Sequence, residues 1–199
     1  REARKFIEKY PDCVVVSVGC GFDTRFERVD NGQIRWYNLD LPEVIEKRRL
    51  LLPDTPRSIS IGKSLLDASW PQDIDRAGRK LLIISEGVLM YLEEKDVKAF
   101  LSILTGGFDD FEAQLDLLYK GMVKKAALHD VVKNTSAQFN WGVKDGSEVV
   151  KLNPALKQIG YVNFTDEMKH MLPGWMKLFT PIFYLVNNRL GIYTYQKAA

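Results

Sequence analysis

The amino-acid sequence predicts an α/β fold built on a parallel sheet. Three observations lead there. Short apolar runs alternate with amphipathic stretches along the chain. One run, from Cys13 to Val18, is continuous and rich in β-branched residues, the pattern of a strand covered on both faces. It ends in two closely spaced glycines, Gly19 and Gly21, where a backbone must turn sharply and can let a ligand approach.

The remaining elements follow in order. Residues 1–12 read as a helix running into that first strand. Residues 34–39 form a second strand, closed by Asp40. A helix is predicted over 41–52, with Pro42 at a permitted early position. Residues 57–61 are a short third strand, and residues 80–84 a fourth, ending at Ser85, Glu86 and Gly87. Residues 93–104 place Val97, Phe100, Leu101 and Leu104 on one helical face, and Gly106 and Gly107 are expected to stop that helix. Residues 111–119 alternate well enough for a fifth strand, with Asp116 inside it. Alternation alone leaves open whether Asp116 faces a substrate. Residues 120–156 read as a helical or irregular insert. Residues 161–164 and 192–196 are the last strands, separated by a helical stretch around Pro181. Two closing strands joined this way suit the antiparallel end of a mixed sheet.

Composition narrows the function classes. The 199 residues are one domain of ordinary size, and 46% apolar with 27% charged residues is a globular mixture. A net charge of +2 gives no concentrated positive field for nucleic acid. Two cysteines, Cys13 and Cys20, are too few for a disulfide scaffold and read as reduced thiols of a cytoplasmic protein. With His129 and His170 they make no metal-ligand spacing, so no metal site is expected. No apolar window approaches membrane-spanning length, and no membrane partner is expected. The sequence carries no signal for oligomeric state.

Four segments carry candidate chemistry. Gly19, Cys20 and Gly21 follow the first strand, but Thr24 stands where a dinucleotide fingerprint has its third glycine. A tight strand-to-loop turn without a ligand has the same pattern. Asp40 lies 19 residues after Gly21, where an acid can accept from both ribose hydroxyls and repel a 2′-phosphate. It also suits a cap for the following helix. Ser64 or Asp67, after the third strand, can hydrogen-bond an adenine with Leu65 packed on its face, although an ordinary loop has the same pattern. Glu86 ends an apolar strand, where an unpaired carboxylate is costly, so a functional acid fits there. The segment is no nucleophile elbow, because Ile83 occupies the position of its first glycine. No catalytic triad assembles, and no catalytic residue is named.

Other charged and aromatic residues have plainer readings. Lys47, Arg48 and Arg49, like Lys124 and Lys125, read as solvated helix faces. Trp36, Trp70, Trp141 and Trp175 are expected in the core or a pocket wall. Cys20 reads as a small packing residue, and His129 as a surface histidine or a base within the insert.

Taken together, residues 19–26 (GCGFDTRF), 39–44 (LDLPEV) and 85–92 (SEGVLMYL) resemble the leucine carboxyl methyltransferase family. The similarity is closer to its bacterial branch, the O-methyltransferases of polyketide biosynthesis of the tetracenomycin type. Residues 64–70 and 139–143 add weaker support, and the likeness runs from about residue 6 to the end. The resemblance implies a class I S-adenosylmethionine-dependent methyltransferase fold: a seven-stranded, mostly parallel sheet with an antiparallel last strand. It implies S-adenosyl-L-methionine as cofactor and a small-molecule acceptor, methylated at a carboxylate or hydroxyl oxygen. Gly19, Cys20 and Gly21 would receive the methionine end, and Asp40 with Leu41 the ribose. Ser64 and Leu65 would flank the adenine, with Ser64 standing where eukaryotic members carry an acid. Glu86 would sit near the methionine amino end. A carboxylate acceptor is already ionised and needs no general base. The family's carboxylate-clamping arginine and the helices over its substrate pocket fall, by spacing, before Arg1. The chain, which starts without methionine, is therefore expected to be a single domain, 1–199, missing its N-terminal lid region. The alternatives are a nucleotide-dependent oxidoreductase, which the absent third glycine opposes, and a cofactor- or partner-binding module without turnover.

Overall fold

The computed structural model describes residues 1–123 and 138–198. Its centre is a seven-stranded sheet of β1 (Val14–Val18), β2 (Arg35–Asp40), β3 (Ser58–Gly62), β4 (Leu81–Ser85), β5 (Asp110–Leu117), β6 (Lys157–Asn163) and β7 (Arg189–Gln196). The spatial order is β3-β2-β1-β4-β5-β7-β6. The first five strands pair in parallel, and β7 runs antiparallel between β5 and β6. This is the sheet that the resemblance implies.

Strand order reverses between β1 and β4, so the loops leaving their carboxyl ends diverge and open a crevice there. β1 is buried along its whole length because both of its faces are covered. Val14, Val16 and Val18 point into one core with Leu39, Ile83, Trp70 and the inner face of α4 (Glu94–Gly107). Cys13 and Val15 point into the other, with Trp36, Leu82, Ile84, Phe6 and Ile7 of α1 (Glu2–Lys9), and Phe26 of α2 (Arg25–Val29). Alternate residues of one strand thus tie two layers together, and each fully buried valine contributes about 1.5–3 kcal/mol.

The expected face of α4 is the buried one: Val97, Phe100, Leu101 and Leu104 are fully inside. Gly106 and Gly107 do not stop the helix but form its last turn. The reason at Gly107 is packing, since a Cβ there would lie 2.6 Å from the Pro71 side chain.

α3 (Pro42–Leu51) corrects the basic cluster. Arg48 is not solvated: it shares the inner face with Ile45 and is 1% exposed. Arg49 also turns back, donating to the Ser60 carbonyl and to Asp54.

The described part of the 120–156 stretch is mostly irregular, with one short helix, α5 (Ser147–Leu152). Phe139 is buried beside Met90 and Leu118, and Trp141 in the main core. Lys124, Lys125 and His129 lie outside the described residues. Between β6 and β7 stand α6 (Thr165–Met171), a 3-10 turn at Gly174–Phe179 and α7 (Thr180–Val186). Trp36, Trp70 and Trp141 are core residues as expected, whereas Trp175 is 67% exposed on that 3-10 turn. No described helix is long and apolar enough to cross a membrane.

Candidate cofactor site

The site begins where β1 ends. Gly19 and Gly21 have φ of +64° and +49°, the left-handed region that favours glycine. A Cβ on Gly19 would stand 2.2 Å from Val88 Cγ2, so the loops after β1 and β4 touch only because that side chain is missing. The Gly21 N–H donates to Asp40 Oδ2 at 2.7 Å, and the Leu41 N–H donates to Asp40 Oδ1 at 2.8 Å. Asp40 is therefore more than a solvated strand end: it joins the glycine loop to the end of β2, and each carboxylate oxygen keeps a second lone pair for a ligand.

Arg48 braces the same loop from beneath. Its Nη1 donates to the Gly21 carbonyl at 2.8 Å and its Nη2 to the Asp23 carbonyl at 2.9 Å. A buried guanidinium bound to two carbonyls fixes the loop's outward-facing surface. The basic triplet conceals this role, but Ile45 and Arg48 are three residues apart on one helix face, and that spacing signals it.

Two cavities open at this end of the sheet. One, of about 360 Å³, is lined by Gly19, Leu39, Asp40, Leu41, Ser64, Leu65, Leu66, Gly87, Val88, Tyr91 and Leu92. Its polar side chains are those of Asp40, Ser64 and Tyr91, and the rest of its wall is apolar. Ser64 shapes its wall by accepting the Leu66 N–H at 3.2 Å, and the Leu65 carbonyl is held by Trp70 Nε1. The other, of about 460 Å³, is polar, and Asp23, Arg25, Arg28, Glu86 and Asp116 join Gly19 and Cys20 in its walls. The cavities meet at Gly19 and Gly87.

Of the residues singled out in the sequence, Gly19, Asp40, Leu41, Ser64 and Leu65 share the apolar cavity. Gly19, Cys20 and Glu86 share the polar one. Gly21 lines neither; its N–H and carbonyl are bonded to Asp40 and Arg48. Cys20 is buried, and burial pushes its thiol up to about 12, so it is a neutral packing group rather than a nucleophile. Glu86 is not a buried strand-end acid: its side chain is 53% exposed and ion-paired with Arg25.

Asp116 is the acid that alternation left undecided. It is buried at the carboxyl end of β5, and Oδ2 accepts the Gly87 N–H at 3.2 Å. Burial raises its carboxyl to about 7; the Gly87 N–H opposes the rise and Glu86 adds to it. No group of three His, Cys, Asp or Glu that could hold a metal exists among the described residues.

Comparison with known proteins bears on the family and the fold. Residues 5–105 match the model of the leucine carboxyl methyltransferase family. The tetracenomycin polyketide synthesis O-methyltransferase of Streptomyces glaucescens is 28% identical over 156 residues, covering 78% of this chain. The chain spans 57% of that relative's length. Among solved structures, a protein of Thermobifida fusca assigned as a methyltransferase superposes with a TM-score of 0.69 at 16% identity, over 99% of this chain and 78% of the other. The magnesium protoporphyrin IX methyltransferase of Synechocystis, solved with S-adenosylhomocysteine bound, gives 0.59 at 13% identity, over 98% and 81%. The structural likenesses carry the fold, which is that of class I methyltransferases. The family match extends over half of the chain and includes the glycine loop, Asp40 and Glu86: this protein belongs to the leucine carboxyl methyltransferase family.

Proposed function

We propose that the chain binds S-adenosyl-L-methionine across the two cavities and transfers its methyl group to a carboxylate or hydroxyl oxygen of a small molecule, in the manner of polyketide O-methyltransferases. The observation that carries the reading is the pair of cavities meeting at Gly19 and Gly87, one apolar with a single strand-end acid, the other lined with both signs of charge. A ligand with a nucleoside at one end and a zwitterionic amino acid at the other matches that division.

Asp40 would accept from the ribose hydroxyls through its free lone pairs. Leu41 and Leu65 would supply apolar wall for the adenine, and Ser64 a polar contact. Gly19 and Gly87, having no side chains, would leave the passage between the cavities open. Arg25 and Arg28 would face the carboxylate end of the amino acid. When bound, the sulfonium supplies a methyl group already activated for displacement. The protein's part is then to hold the ligand's two ends apart and present one face to an acceptor.

Calorimetric titration with S-adenosylhomocysteine, with NAD as control, tests the cofactor. Micromolar binding of the first and none of the second is expected. Binding of NAD instead would favour the oxidoreductase and overturn the reading. Incubation with S-adenosyl-L-methionine and matched aromatic acids and phenols then tests transfer. Methyl ester or methyl ether products are expected, and the acceptor oxygen is read directly from which forms.

A further inference from the structure

The polar cavity holds three carboxylates, and their charge pairing can be followed group by group. Arg25 pairs with Glu86 and with Asp23, and Arg28 pairs with Asp23 at 3.0 Å. Two of the three acids therefore already face cations. Asp116 forms no ion pair with either arginine, is 5% exposed, and its Oδ1 has no hydrogen-bond partner among the described residues. A buried carboxyl oxygen without a partner is costly unless something else meets it. The zwitterionic end of the ligand proposed above brings an ammonium into this cavity, a cation with three donors.

We propose that Asp116 is the counter-ion of the α-ammonium of a bound S-adenosyl amino acid, and that it ionises as the ligand docks. The inference rests on the cofactor reading, and it adds a residue that lies beyond the part of the chain matched by the family model. The charges balance simply. The Asp116 carboxyl gives its proton to the solvent, the ammonium keeps its own, and one anion faces one cation.

The groups around Asp116 set how far this goes. Glu86, in the loop after β4, favours the protonated carboxyl, while the Gly87 N–H and the Asn188 side chain favour the ionised one. Asp23, Arg25 and Arg28 line the same cavity from the loop after β1 and from α2, and Arg189 stands at the start of β7, next to Leu190, the partner of Asp116 in the sheet. With burial holding the carboxyl at about 7, about half of the molecules carry the proton at pH 7.

Calorimetry of the whole chain at pH 7, in phosphate and in Tris, counts protons exchanged on binding. The ligands are S-adenosylhomocysteine and its desamino analogue, which lacks only the ammonium. The wild type is expected to release about half a proton with the first ligand and none with the second, and to bind the second about 10- to 100-fold more weakly. Asp116→Asn, which keeps an acceptor for Gly87, is expected to abolish the release. It should also lower S-adenosylhomocysteine affinity to near that of the analogue while leaving the analogue's affinity unchanged. Binding of S-adenosylhomocysteine by the wild type with no proton released would overturn the inference and leave the cofactor reading intact. Equal weakening of both ligands by Asp116→Asn would also overturn it, because Asp116 would then only hold Gly87. No binding by the wild type would overturn the cofactor reading and this inference with it. The wild-type comparison of the two ligands decides the question even if the variant does not fold.

Discussion

The two flanks of the sheet's mouth are finished to different degrees. On the β1–β3 flank two charged side chains are held by main chain: Asp40 accepts from two N–H groups, and Arg48 donates to two carbonyls. On the β5–β7 flank Asp116 is met by the Gly87 N–H and the Asn188 side chain, and its Oδ1 has no hydrogen-bond partner among the described residues. Beyond it, the segment between β6 and β7 turns Met171, Trp175 and Leu178 outward, at 78%, 67% and 82% exposure. The family match, which ends at residue 105, covers the first flank and stops before β5.

The sharpest break of this comparison is expected at Gly19. Gly19→Val forces a side chain into Val88 at a positive φ, in the passage shared by both cavities. S-adenosylhomocysteine affinity is expected to fall by about 100-fold or more, measured calorimetrically on a variant whose circular dichroism is unchanged. Affinity within a few-fold of wild type would place the ligand elsewhere.

Arg48→Met comes next. It keeps the volume and removes two charge-assisted hydrogen bonds from the loop, leaving the Gly21 and Asp23 carbonyls unmet. A loss of about 3 kcal/mol is expected from denaturant midpoints. An unchanged midpoint would mean that the guanidinium is not a brace.

The β5 flank is tested by pH. Asp116 titrates near 3.8 when unfolded and near 7 when folded, so between these values the folded state holds more protons and stability falls as pH rises. Asp116→Asn removes that slope. Relative to its stability at pH 4, the variant is expected to gain roughly 2 kcal/mol over wild type by pH 8, a value discounted from the full shift. Parallel stability curves for the two proteins would show that Asp116 is not held protonated by the fold.

The smallest effect is expected at Trp175. Its exposure predicts that Trp175→Ser shifts the denaturation midpoint by less than about 0.5 kcal/mol, despite the size of the residue removed. A larger loss would show that its ring is packed in solution.

How far the sequence can be read differs between the flanks for physical reasons. The strands β1 to β4 are legible because short, largely apolar runs end at or just before glycines or acids, and the site residues sit at those ends. Arg48 is misread because a run of three basic residues looks solvated, although its spacing from Ile45 puts it inside. Asp116 is undecidable from alternation because residues 113–117 of β5 are all buried, leaving no contrast between faces. Trp175 misleads because aromatic content signals burial only when a second layer is present to cover it.

The central claim is that one ligand spans both cavities, and 5′-methylthioadenosine tests it most directly, since it has the adenosyl half and no amino acid. Its affinity should fall with Asp40→Ala and be untouched by Asp116→Asn, whereas S-adenosylhomocysteine should bind more tightly and respond to both. If the truncated ligand binds as tightly as S-adenosylhomocysteine, or is indifferent to Asp40, the two cavities do not hold the two ends of one cofactor.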